Sequence, residues 1–259
     1  MGRSEGRHGL VAVVAALAAV AGLLAPPLAL GSEPPDMETA RRVVYGGPQW
    51  RAGEQAAPFF PRNTLLHVRE VFRGAYREQD QDKLLLVYQL TPGPREQFRC
   101  HACIPALGAA VMARDLARGL GSQDGEWRLQ ARAPLLMWGA PFSGDEDLQL
   151  LALGPQRWAL RSRFHDVGGG YETHRERLLL QQRGRLVLAL DEGFTDKPGP
   201  GACGPGAATQ GTALQPLAGS EAAPRLELIL RYNEGACPAP QARVERRRYE
   251  LRDGRFQPE

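Results

Sequence analysis

From Leu84 to its end the chain repeats one device: a short apolar or alternating run, a turn containing glycine, and a returning run. Residues 84–90 (LLLVYQL) are bounded by Pro92, Gly93 and Pro94, and Trp127, Leu129 and Ala131 alternate after Asp124-Gly125. Residues 148–153 lead into Gly154-Pro155, and 158–164 lead out. Residues 177–182 and 186–190 flank Arg183-Gly184; 226–232 alternate; 246–251 lead into Asp253-Gly254, with Phe256 beyond. Glycine supplies the positive φ that tight hairpins need. Strands this closely spaced, with almost no helical pattern between them, predict a mainly β fold. The expected architecture is an antiparallel β-meander, sandwich-like or partly propeller-like, with a short helical N-terminal part. The segments LLLQQRGRL (178–186) and YELRDGRF (249–256) form a weak internal repeat, each reading as strand, Gly-Arg turn and apolar return.

The N-terminal half of the pattern differs. Residues 32–62 carry Pro34, Pro35, Pro48, Pro58 and Pro61 and read as a mostly extended arm, with one short helix over 37–44. Leu65, Val68, Phe72 and Tyr76 then recur at spacings of three and four, which predicts a packing helix at the start of a single domain over 63–259. Asn63 or Thr64 would cap that helix, and the polar stretch REQDQD would end it.

Before the arm stands an export signal. Arg3 and Arg7 give a basic start, residues 9–25 run without a charge, and Pro26 and Pro27 break the run. Ala29, Leu30 and Gly31 then offer the small residues of a cleavage site near Gly31-Ser32. The apolar run falls just short of the ~20 residues that span a bilayer, so cleavage is favoured over an uncleaved anchor. No later stretch is long and apolar enough to cross a membrane as a helix, so no transmembrane segment is expected in the mature chain. The expected location is periplasmic or secreted.

Charge excludes several partners. Without Arg3, Arg7 and Glu5, the chain's 32 basic and 29 acidic residues leave a positive surplus of about two. That balance argues against a nucleic-acid partner and gives no general attraction to anionic lipid. Lys83 and Lys197 are the only lysines, so the positive charge is nearly all arginine.

Cys100, Cys103, Cys203 and Cys237 all follow the export signal. An even count in an exported chain favours disulfides, and three pairings are open. Cys100 with Cys103 and Cys203 with Cys237 is the favoured set. The second pair lies in glycine- and proline-rich stretches, GPGACGPG and NEGACPAP, where a bridge would contribute ~3–4 kcal/mol.

The segment RCHACIPALGAAVMAR (99–114) is the place where chemistry would sit. A redox reading sets Cys100 at the start of a helix formed by the alanine-rich run. A metal reading uses Cys100, His101 and Cys103 for copper or zinc, but no second ligand pair follows, and His67, His165 and His174 stand isolated. Ile104 occupies the position where c-type haem attachment needs histidine. A structural reading makes the two cysteines a small disulfide loop at a strand entry, with residues 106–113 buried against a sheet. The oxidising compartment favours this third reading.

Other motifs are silent. Gly168, Gly169 and Gly170 before Tyr171 make a turn, not a phosphate loop, and GDEDLQ (144–149) lacks calcium-loop spacing. No nucleophile elbow and no zinc-protease helix motif is present. No catalytic residue, cofactor or assigned metal site emerges.

The CHACIPALGAAVMAR segment, the hairpin LALGPQRWAL with the glycines and Tyr171 after it, and the ending RRYELRDGRFQPE together resemble a loose group of exported bacterial β-rich proteins. That group carries a Cys-His-Ala-Cys segment and a closing Asp-Gly-x-aromatic hairpin. The resemblance covers the chain from Leu84 onward; the group has no assigned activity, so it implies a β fold and no catalysis. The expected role is a non-catalytic binding or structural envelope module with an unknown partner. The alternative is a thiol–disulfide or metal-handling protein centred on Cys100, His101 and Cys103.

Overall fold

The computed structural model describes residues 33–51, 53, 60, 63–93, 106–115, 126–136, 147–168, 171–196, 211–218, 223–234 and 241–259. Gly31–Glu259 form one compact unit. It contains a helix α1 (Met37–Tyr45), then strands β1 (Gln49–Arg51), β2 (Leu65–Glu78), β3 (Gln81–Pro92), β4 (Ala106–Asp115) and β5 (Arg128–Leu136). A second meander follows: β6 (Asp147–Gly154), β7 (Arg157–Gly168), β8 (Tyr171–Gln182) and β9 (Arg185–Asp196). The last strands are β10 (Gly211–Leu217), β11 (Arg225–Glu234), β12 (Gln241–Arg252) and β13 (Arg255–Pro258).

The first nine strands form one sheet in the order β1-β2-β3-β4-β5-β9-β8-β7-β6, and the last four form another in chain order. Pairing is antiparallel except where β5 meets β9, in parallel, at Arg132 opposite Arg185. The large sheet is therefore two antiparallel meanders joined edge to edge, and it curls until their inner faces pack together. Leu85, Val87 and Val111 of the first meander share a core with Leu160, Leu179 and Leu186 of the second. Where the two ends of the curled sheet meet, Tyr76 packs on Trp158, 5.8 Å between ring centres, and the Trp158 Nε1 donates to the Arg77 carbonyl at 3.1 Å. Gly74 lets β2 approach there, because a Cβ would stand 2.5 Å from the Leu150 side chain.

Each meander has its other face covered by a different element. Helix α1 lays Ala40, Val44 and Tyr45 on the first, against Leu86, Tyr88, Ala110 and Met112. The four-stranded sheet covers the second, with Leu226, Leu228 and Tyr249 against Leu178, Leu180 and Leu190. A strand with both faces covered reads as a continuous apolar run, which explains LLLVY in β3 and LLL in β8.

The helix expected from Asn63 is instead strand β2. Leu66 and Val68 belong to the core under α1, whereas Phe72 and Tyr76 belong to the core between the meanders. A register shift between Glu70 and Phe72 flips the strand. One extra residue exchanges the faces of everything beyond it, so two-sided burial around a bulge imitates helical spacing. The alanine-rich run 106–113 is strand β4, not the helix a redox site would need; Leu107 and Val111 face one core while Ala106, Ala110 and Met112 face the other. The stretch expected as a mostly extended arm supplies α1, the edge strand β1 paired with β2, and the buried Phe60.

Helix α1 forms where its caps allow it. The Asp36 carboxylate accepts from the Thr39 amide at 2.7 Å, and Gly46 closes the helix at φ 80°, its amide reaching the Arg42 carbonyl. Under the helix, Tyr45 and Tyr88 meet edge to face, 5.2 Å between ring centres. Their hydroxyls differ. That of Tyr45 donates to the Pro134 carbonyl at 2.9 Å, while that of Tyr88 is buried without a partner among the described residues. Burial pushes both phenols well above their ordinary range. An unsatisfied buried hydroxyl costs about 1–3 kcal/mol. Tyr88→Phe is therefore expected to leave stability unchanged or raise it by about 1 kcal/mol in urea denaturation. A loss of more than 1 kcal/mol would show that the hydroxyl has a partner.

Candidate ligand cleft between two hairpin turns

Three tight hairpins end at the same pole of the molecule. Each turn holds both central residues at positive φ: Gln79 and Asp80 at 50° and 58°, Arg183 and Gly184 at 47° and 75°, Asp253 and Gly254 at 49° and 82°. This is the geometry of the two-residue turn whose twist matches the flanking strands. Side chains lock the tips together. Lys83 pairs with Glu78 across the first hairpin and donates to Gln181 Oε1 of the second at 3.1 Å. Gln182 Nε2 of the second donates to the Gly254 carbonyl of the third at 2.8 Å.

The second and third hairpins are the two members of the weak sequence repeat. They enclose a half-open cleft of about 670 Å³, lined by Gln182, Arg183, Arg185, Val187, Asp253 and Gly254. Val187 borders the core between the second meander and the four-stranded sheet. Arg185 lies two residues away on the same strand and so shares that face. The cleft is thus the open end of that interface, with an apolar wall and a charged mouth. Arg183 and Arg185 are exposed, and among the described residues neither they nor Asp253 makes a side-chain hydrogen bond or ion pair. Two other arginines near this pole are engaged: Arg252 pairs with Glu250, and Arg114 pairs with Asp82 beside the Trp127 ring. Arg183 also holds a left-handed backbone, where a long side chain costs roughly 1–2 kcal/mol.

Two free guanidiniums beside a carboxylate and a carboxamide suit a small polar anion. Guanidinium binds phosphate or carboxylate through paired N–H donors, and Asp253 and Gln182 can accept from hydroxyls on the same ligand. The volume is that of an ordinary small-molecule site. The sequence carries one signal for this site, which is the repeat itself: two similar turns with arginine after each glycine.

The residues singled out from the sequence lie elsewhere. Cys100, His101, Cys103, Cys203 and Cys237 fall outside the described residues. His165 and His174, isolated in sequence, are register partners across β7 and β8. Among the described residues no group of three or more histidines, cysteines and acids is placed to hold a metal. Among them, too, no helix is long and apolar enough to cross a membrane. No family model matches the chain, and neither does any curated protein or solved structure.

Proposed function

We propose that this chain is an exported, non-catalytic binding module and that the hairpin cleft is its ligand site, taking a small molecule that carries a phosphate or carboxylate. One observation carries the reading: among the described residues Arg183 and Arg185 have no side-chain partner, and they stand at the mouth of a preformed cleft. Buried arginines such as Arg114 and Arg161 are neutralised within the fold, whereas these two face solvent. The export part rests on the N-terminal pattern of basic start, apolar run and small-residue exit.

Calorimetric titration of the purified chain with a hexose phosphate, inorganic phosphate and the unphosphorylated hexose tests the cleft. The phosphorylated probes are expected to bind and the bare hexose not to. Arg183→Gln with Arg185→Gln is expected to weaken binding at least tenfold, since charge-assisted hydrogen bonds contribute about 1.5–3 kcal/mol each. The melting temperature should not move, because neither side chain has a partner to lose among the described residues. Binding unchanged in the double variant, or no binding of either phosphate probe, would remove the cleft from consideration.

A further inference from the structure

The outer face of the four-stranded sheet is clad in arginine. Alternation along β11 and β12 sends Leu226, Leu228, Leu230 and Tyr249 inward. It therefore sends Arg225, Arg231, Arg246, Arg248 and Arg252 outward, and Arg255 of β13, register partner of Arg252, joins them. Against these six stand Glu227, Glu250 and Glu259. The face thus carries a larger surplus than the whole mature chain. The balance of the composition hides a one-sided field.

The vertical order of the charges matters as much as their sum. Glu227 is nearly covered, its side chain 5% exposed, while Arg246 and Arg248 above it are 55% and 59% exposed. Desolvation pushes the Glu227 carboxyl up, but hydrogen bonds from Arg246 and Arg248 more than offset this and hold it below the ordinary glutamate range. The carboxylates are the floor and the guanidiniums are the outer layer. Arg231 and Arg255 have no partner among the described residues, and Val244, opposite Arg231, is 55% exposed. Strand geometry spaces outward residues ~7 Å along a strand and ~5 Å between strands. The result is a lattice of donors with Val244 as an exposed apolar tip.

From this layout we propose that the outer face of the four-stranded sheet docks the protein onto an anionic lipid surface, its arginines bonding headgroup phosphates and Val244 entering the interfacial layer. Planar guanidiniums suit phosphate oxygens, and a one-sided array of them suits an array of anionic headgroups. This face is opposite to the one that borders the cleft, so the inference does not depend on the cleft's ligand.

Co-sedimentation of the purified full chain with vesicles tests it, using neutral phosphatidylcholine against the same lipid with a third phosphatidylglycerol. The readout is the anionic-minus-neutral difference compared between the wild type and its variants, which share Arg3, Arg7 and the apolar residues 9–25. The expected result is a difference that disappears in high salt. It should fall roughly thirtyfold in Arg231→Gln with Arg255→Gln, from about 1 kcal/mol per basic residue at such a surface. Neither substitution touches the Glu227 network, so folding should be unaffected, which thermal melting checks. Arg183→Gln with Arg185→Gln should bind vesicles like the wild type. The proposal is overturned if anionic and neutral vesicles bind alike, if the Arg231/Arg255 variant keeps the difference, or if the cleft variant loses it. It is equally overturned if a soluble polyanion binds this face while anionic vesicles do not.

Discussion

Replacing Gly108 with alanine is expected to cost about 2–4 kcal/mol, a large effect for one methyl group. Gly108 sits in β4 opposite Tyr88, on the face that α1 covers. A Cβ built there would lie 1.7 Å from the Tyr45 hydroxyl and 2.7 Å from the Pro134 carbonyl oxygen. Those two atoms are the donor and acceptor of the bond that ties the end of α1 to β5. Neither side can yield cheaply. The carbonyl is backbone, and the Tyr45 ring is wedged between Trp50 and Tyr88, 5.7 and 5.2 Å away. In a chain this size the loss corresponds to a fall in melting temperature of roughly 5–15 °C. Tyr45→Phe alone should cost about 1–2 kcal/mol, by stranding the carbonyl. Because phenylalanine vacates the space the methyl needs, the double variant should cost clearly less than the sum of the two singles. Urea denaturation of the four proteins measures the coupling; additive costs, or a Gly108→Ala change under 0.5 kcal/mol, would show that the helix is not held as described.

The same region shows what was legible in the sequence. The strands read correctly where one physical rule acted alone: alternation in β11, glycine turns after β8 and β12, and the two-sided apolar run of β3. The reading failed in β2, where a bulge and two buried faces combined into a false helical period. It also failed to foresee β1 and β10, short edge strands whose pairing is set by distant partners. The candidate cleft was almost illegible. The repeat showed two similar turns, but only the curl of the sheet and the Gln182 bond to Gly254 bring them together. Likewise, composition reported a balanced chain because it cannot see which side of a strand each arginine takes.

Breaking the buried ion pair between Arg161 and Glu176 is the other change expected to be severe. The Glu176 side chain is 1% exposed and accepts from Arg161 through both oxygens, at 2.9 Å from Nε and 2.7 Å from the terminal nitrogen. Thr212 adds a third bond at 2.5 Å. Arg161 and Glu176 belong to β7 and β8 of the large sheet, whereas Thr212 belongs to β10 of the other. The carboxylate is therefore a buried polar fastening between the two sheets, beside their shared apolar core. Arg161→Leu leaves that carboxylate buried with only a hydroxyl, at a cost of about 3–5 kcal/mol. Arg161→Leu with Glu176→Leu should recover most of the loss, since an apolar pair of similar volume avoids desolvating either charge. Thr212→Val should cost about 1 kcal/mol in the wild type and almost nothing in the double-leucine background. Urea denaturation of these variants decides the matter. A single leucine variant within 1 kcal/mol of wild type, or a double variant worse than either single, would mean that these three side chains do not share one buried network.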